Sequence, residues 1–301
     1  MSNFVITTSA LTKNYGEFNA VNNLNLQVPE GSVCGFLGQN GAGKSTTIKM
    51  LLGMTRPSSG EGSILGHDIL DENESVVIRK KVAYVAEDKR LYDYMTVAQI
   101  IKFTRPFFEN WQTDLEQHLL KEFRLPLDRK IKKLSKGMRT QLALILGICR
   151  NADILILDEP SEGLDPVNNE KVLRLLVSLA AQGKTIFFSS HHVFEVEQVS
   201  DYIIMLHRGK LIDSKPLEQM KEEYKLLKLF FNQIPTWDPM QIKGVKRFTI
   251  EANSMTLFIN HNEKEIIDRI KAENPTSIEI MDLNLKDIFL ENLKALENYA
   301  D

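Results

Sequence analysis

The chain is poor in cysteine, with two residues among 301. Cys34 and Cys149 both sit in apolar runs, "VCGFLG" and "LALILGICR", which argues against a disulfide framework and for buried, reduced thiols. No run approaches the ~18 apolar residues of a membrane-spanning helix. The first residues, "MSNFVITTSAL", lack the basic stretch and apolar core of a secretory leader, so a cytoplasmic protein is expected. A basic excess is missing too: 37 Lys and Arg stand against 40 Asp and Glu, a formal net charge of -3. Polyanion binders usually carry that excess, so no nucleic acid partner is expected. Repeats and low-complexity stretches are absent. What remains is an ordinary globular balance, 43% hydrophobic and 26% charged, on a length that suits one large domain or two ordinary ones.

Residues 3–33 alternate apolar and polar positions between turn signals and read as short strands, a β-rich opening. "SVCGFLG" reads as a buried strand, and "KSTTIKMLLGM" carries Ile48, Leu51 and Leu52 at helical spacing. "KKVAYVAED" is a further strand. Residues 97–125 are helical in composition, broken at Pro106 and stopped near Pro126. The helix "MRTQLALILGICR", the buried strand "DILILDEP", a helix ended by Gly183 and the strand "KTIFFSSHH" follow. Such strand–helix alternation implies a parallel sheet. Near residue 221 the pattern changes to a hairpin around Asn253 and Ser254, a helix, a strand and a last helix. The expected organisation is a domain over 1–220, with a helical insert over about 88–150, and a small α+β domain over 221–301.

"GFLGQNGAGKSTTIKML" contains the phosphate-binding pattern G-x-x-x-x-G-K-[ST] at Gly38, Gly43, Lys44 and Ser45. Glycines let backbone N–H groups turn inward around an anion, and the following helix presents its positive end. Lys44 then reaches the β and γ phosphates, and the Ser45 hydroxyl ligates Mg²⁺. "ILILDEP" ends a strand on Asp158, placed to hold the Mg²⁺ water shell, and on Glu159, placed to polarise an attacking water. The same pair reads otherwise as a strand cap. "LSKGM" puts Ser135 and the Gly137 backbone at a second helix N-terminus, another anion site.

In this order the motifs resemble the ATPase subunits of ATP-binding-cassette transporters, over about residues 1–215. The resemblance implies an α/β P-loop nucleotidase that uses ATP and Mg²⁺. Tyr15 matches the aromatic that stacks on adenine. Gly38, Asn40, Gly41, Gly43, Lys44, Ser45 and Thr46 match the Walker A loop, and Glu87 the Q-loop position, with a part in Mg²⁺ binding. Leu134–Met138 match the signature, in which Ser135 and Gly137 meet the ATP of a partner cassette. Asp158 and Glu159 match Walker B, "SEGLD" the D-loop, and His191, ahead of His192, the switch histidine. Asp165 matches the D-loop aspartate and reads equally as a turn cap before Pro166. The resemblance also implies separate transmembrane permeases, a second cassette, identical or a close paralogue, and a peripheral position on the inner face of the membrane.

Some residues depart from the family pattern. Lys136 replaces a glycine and Met138 a glutamine in the signature, which resembles the bacterial branch that exports drugs and peptide antibiotics. Glu87 replaces a glutamine, so an acceptor-only charge stands where a neutral amide can donate. Two rivals fit less well. Ribosome-acting cassette proteins carry two cassettes in tandem, and chromosome-organising ATPases separate their Walker motifs by a long coiled coil. A GTPase would need an N-K-x-D motif. Of the aromatics after Glu87, some fill the insert's core, while Tyr92 and Tyr94, beside Asp93, are expected to be exposed and to receive a permease segment. The tail reads as a dimerising or regulatory module, or equally as a packing appendage.

Overall fold

In the computed structural model, which describes residues 3–297, the chain divides into two compact units between Ser214 and Lys215. The first opens with β1 (Phe4–Tyr15), β2 (Phe18–Leu24) and β3 (Gln27–Pro29). Then come β4 (Val33–Leu37), α1 (Lys44–Leu51), β5 (Ser59–Ile64) and β6 (His67–Asp68). The long β1 pairs antiparallel with β2, β3 and β5, making the β-rich opening a five-stranded sheet.

Next come α2 (Glu72–Lys81), β7 (Val82–Val85), α3 (Val97–Thr104), α4 (Thr113–Glu122) and α5 (Lys136–Ile148). The helical insert breaks where the proline signal lies: α3 stops at Thr104 and Pro106 sits in a 3-10 turn. A reciprocal Thr96–Gln99 capping box starts α3. Arg105 grips both oxygens of the buried Glu116 at 2.9 Å, and Trp111 Nε1 donates to the same carboxylate at 2.6 Å. Phe108 stacks on Trp111, so these two aromatics belong to the insert's own packing.

The chain then returns to the central sheet through β8 (Ile154–Asp158), α6 (Pro166–Ala181), β9 (Thr185–Ser190), α7 (Val193–Val199), β10 (Tyr202–His207) and β11 (Lys210–Pro216). The strand order is β11-β10-β4-β9-β8-β7, and the ladders from β10 through to β7 are parallel. Every residue of β4, β8 and β9 is buried, the reason these segments read as continuous apolar runs rather than alternating ones.

The second unit contains α8 (Leu217–Glu223), β12 (Lys225–Phe230), β13 (Val245–Glu251), β14 (Ser254–Ile259), α9 (Glu263–Lys271), β15 (Ser277–Asp282) and α10 (Leu285–Glu297). Its antiparallel sheet runs β13-β14-β12-β15. Glu251 pairs with Ser254 across the hairpin, and Leu227, Leu229, Met255, Leu257, Ile266 and Ile270 form a core of its own. The sequence-based boundary at 220 falls inside α8.

Both cysteines are buried and free. Burial pushes the Cys149 thiol up to about 12, with Glu116 adding to the shift and Arg105 opposing it. Cys34 also stands well above its ordinary value, from burial first and then from Asp201. A raised pKa depletes the reactive thiolate. Ellman's reagent at about pH 8 should therefore leave both thiols unmodified in the folded protein and modify both in concentrated guanidinium chloride. Rapid modification of the native chain would contradict this packing.

Candidate functional site

The site forms where three parallel strands end together. The register pairs Leu37 with Ser190 and Asp158 with Ser189. The loop after β4, the acidic pair at the end of β8 and the histidine after β9 therefore leave the sheet at one edge, where open α/β sheets bind ligands.

Gly43 caps α1 with φ +105, and a Cβ there would meet the Ala20 carbonyl at 2.5 Å. Both conformation and space demand glycine. Lys44 follows, with its buried ammonium donating to the Gly38 carbonyl at 2.7 Å. Asn40, Thr46, Glu87 and Glu159 line, with Gly41, Gly43, Lys44 and Ser45 but not Gly38, a cleft of about 360 Å³. Phe18 lines it as well, whereas Tyr15, paired with Phe18 across the β1–β2 turn, does not. The Tyr15 ring is exposed, with Lys13 Nζ 5.0 Å from its centroid. The sequence reading missed Phe18, although its place across the Gly16 turn from Tyr15 was a usable signal.

Asp158 is buried, and its Oδ1 accepts from Ser45 Oγ at 3.2 Å and from Ser189 Oγ at 2.5 Å. Ser189 Oγ also accepts the Glu159 N–H at 3.1 Å. Glu159 has φ +49, uncommon for a residue with a Cβ. Its carboxylate is held on both sides: Oε1 lies 3.5 Å from Lys44 Nζ, and Oε2 lies 2.9 Å from His191 Nδ1. This contact separates His191 from His192, which is exposed at the start of α7.

Two further residues belong to this group without having been singled out in the sequence. Ser189 is one, since "FFSS" gives no sign of which hydroxyl faces Asp158. Lys89 is the other, donating from Nζ to the Glu159 carbonyl at 3.1 Å. Burial draws the Lys89 pKa down, against the opposing fields of Glu162 and Glu87. Glu162, His191 and His192 bring ligand atoms within 4.8 Å of one another, but Lys136 already holds the Glu162 carboxylate at 2.5 Å and keeps its pKa low.

Ser135 and Gly137 are not among the residues lining the cleft. Ser135 caps α5, its hydroxyl accepting the Met138 N–H at 3.2 Å. A Cβ on Gly137 would meet the Gly163 carbonyl at 2.7 Å, so the "LSKGM" and "SEGLD" segments touch. Asp165 caps α6 by accepting the Val167 and Asn168 N–H groups at 3.1 and 3.0 Å.

A family model described as "ABC transporter" matches residues 21–162. The bacitracin transport ATP-binding protein BcrA of Bacillus licheniformis is 34% identical over 221 residues, covering 72% of this chain and 72% of that protein. The chain belongs to the ABC transporter family. It is an ATP-binding, ATP-hydrolysing subunit of such a transporter. The daunorubicin/doxorubicin resistance ATP-binding protein DrrA of Streptomyces peucetius is also 34% identical to this ABC ATPase over 221 residues, covering 72% of this chain and 66% of DrrA. A cassette solved as a dimer in a post-hydrolysis state with ADP and phosphate superposes with a TM-score of 0.63 at 25% identity, covering 70% of this chain and 98% of that one.

The Ser189 hydroxyl joins the Asp158 carboxylate to the Glu159 backbone inside the ABC ATPase, where leaving a buried acceptor short of a donor costs about 1–3 kcal/mol. Ser189→Ala should lower the unfolding free energy by about that amount, read from urea denaturation. An unchanged midpoint and slope would show that the hydroxyl carries no such weight.

Proposed function

We propose that this ABC ATPase drives export through separate permease chains, hydrolysing ATP between two cassettes arranged head to tail. The observation that carries the chemistry is the chain Lys44–Glu159–His191 at the edge of the parallel sheet, its first two members buried and His191 partly exposed. Lys44 pairs with one oxygen of Glu159. A triphosphate in the cleft recruits the Lys44 ammonium and the loop amides, and so releases Glu159 Oε1 to accept a hydrogen bond from the attacking water. His191 stays on Oε2, holds the carboxylate in place and meets the γ-phosphate. Lys44 and the amides then stabilise the charge of the transferring group. Phe18, which lines the cleft, flanks the adenine, with Tyr15 paired beside it across the turn.

The donor set fits Mg²⁺: the Ser45 hydroxyl and Asp158 carboxylate already lie 3.2 Å apart, with Glu87 lining the same cleft. Bound there with ATP, the ion neutralises charge on the β and γ phosphate oxygens. Ser135 and the Gly137 backbone complete the site of a second cassette, in keeping with their absence from this chain's own cleft. Export as the direction is supported by the names of the bacitracin and daunorubicin/doxorubicin relatives and by Lys136 and Met138 in the signature. The unit from residue 215 onward is a dimerising or regulatory accessory. No helix among the described residues is long and apolar enough to cross a membrane, so force reaches the permease through a surface.

That surface is an aromatic patch. Tyr92 packs against Tyr94 and Phe103, and Phe103 against Phe107, with centroid separations of 5.4–5.9 Å. Tyr92 is 51% and Tyr94 67% exposed. Contiguous exposed aromatics mark interaction sites.

Glu159→Gln should bind ATP and elute as a dimer with ATP and Mg²⁺, and so should the same variant ended after Pro216, the last residue of β11. Lys44→Ala should bind ATP about tenfold more weakly or worse, ~1.4 kcal/mol. A Glu159→Gln protein that is monomeric with ATP bound would refute the head-to-tail arrangement. Tyr92→Asp with Tyr94→Asp should keep basal hydrolysis within about twofold, as surface changes do, yet release the protein from membranes that contain its permease. Equal membrane recovery would remove the patch from the docking site.

A further inference from the structure

Lys89 lies in the irregular segment between β7 and α3, two residues beyond Glu87 and three before Tyr92. Its bond to the Glu159 carbonyl joins that segment to the end of β8. The same carbonyl accepts the Glu162 N–H at 3.2 Å. The residue so held is in a left-handed backbone conformation, which persists in non-glycine residues only where the surroundings over-determine it, at a cost of order 1–3 kcal/mol.

The groups that over-determine it can be named. The Glu159 N–H reaches the Ser189 carbonyl at 3.2 Å and the Ser189 hydroxyl at 3.1 Å. Its carboxylate has Lys44 and His191, and its carbonyl has Glu162 and Lys89. Of these, Lys44 is drawn away by the triphosphate and His191 is shared with it. Lys89 lines a separate cleft with Leu91, Phe108 and Arg150, not the nucleotide cleft, so it has no reason to leave when ATP arrives.

We infer that Lys89 is a positioning residue for ATP hydrolysis: its bond to the Glu159 carbonyl keeps the Glu159 backbone in the turn that aims the carboxylate into the nucleotide cleft. The inference rests on Glu159 acting on the attacking water.

The test uses the full chain carrying Lys89→Met, Lys89→Arg, Glu159→Gln, or Lys89→Met with Glu159→Gln. Thermal unfolding confirms that each is folded, and Lys89→Leu, which likewise has no donor, replaces Lys89→Met if the latter is not. A group acting only in the transition state changes kcat and leaves binding alone. Lys89→Met should therefore lower kcat about tenfold, with KM and the Kd of a fluorescent ATP analogue within about twofold. Lys89→Arg, which keeps a charged donor, should restore most of kcat. In the Glu159→Gln background Lys89→Met should cause no further loss, because residues that act as one unit are non-additive. Parent-like kcat in Lys89→Met, a loss confined to ATP affinity, failure of Lys89→Arg to restore kcat, or full additivity with Glu159→Gln would each overturn the inference while leaving Glu159 in place. Parent-like kcat in Glu159→Gln would overturn both readings together.

Discussion

Strand β9 pairs in parallel with β4 on one side and β8 on the other, and the whole site hangs on that double register. It sets Ser189 beside Asp158 and Ser190 beside Leu37. A slip of one residue would turn every side chain to the opposite face of the sheet, carrying the Ser189 hydroxyl away from the carboxylate it serves. Apolar packing resists the slip. Phe36 of β4 stacks on Phe187 of β9 with centroids 5.2 Å apart, both fully buried, and each such side chain contributes about 1.5–3 kcal/mol by leaving water. The chemistry at the strand ends is thus positioned by residues that take no part in it.

Buried charge is the second constraint. Lys44 and Glu159 are each 6% exposed at the side chain, and removing one member of a buried pair leaves the other uncompensated. The fold meets this demand internally, with Lys44 on one oxygen of Glu159 and His191 on the other. In the proposed mechanism the phosphates of ATP take Lys44 over, which would make nucleotide binding and the release of the carboxylate one exchange rather than two events. Asp158 meets the same demand differently, through two hydroxyl donors, Ser45 from the phosphate loop and Ser189, whose side chain looks unremarkable in the sequence.

Much of the fold was legible because its signals are local. Pro106 cannot continue a helix, and the helix ends there; Gly183 at φ +87 follows α6; the apolar runs of β4 and β8 bespeak strands buried on both faces. The aromatics after Glu87 were only partly legible. Their composition announces a surface or a core, but not which ring goes where: Phe108 and Trp111 turn inward around Glu116 and Arg150, while Tyr92, Tyr94, Phe103 and Phe107 join on the outside. The unit boundary is similar: the sequence pattern changes near 221, whereas the first unit ends at Ser214, within the strand that runs on to Pro216.

The sequence by itself determined the phosphate loop, the acidic pair and their order along the chain, because each depends on residues within a few positions of one another: a glycine that permits φ +105 directly before the lysine, two acids directly after a buried run. The tertiary structure decided which of two adjacent histidines faces Glu159, which hydroxyl holds Asp158 and which lysine caps the Glu159 carbonyl. Those choices join residues 30 to 70 positions apart, and they follow from strand register and loop path, which no local spacing encodes.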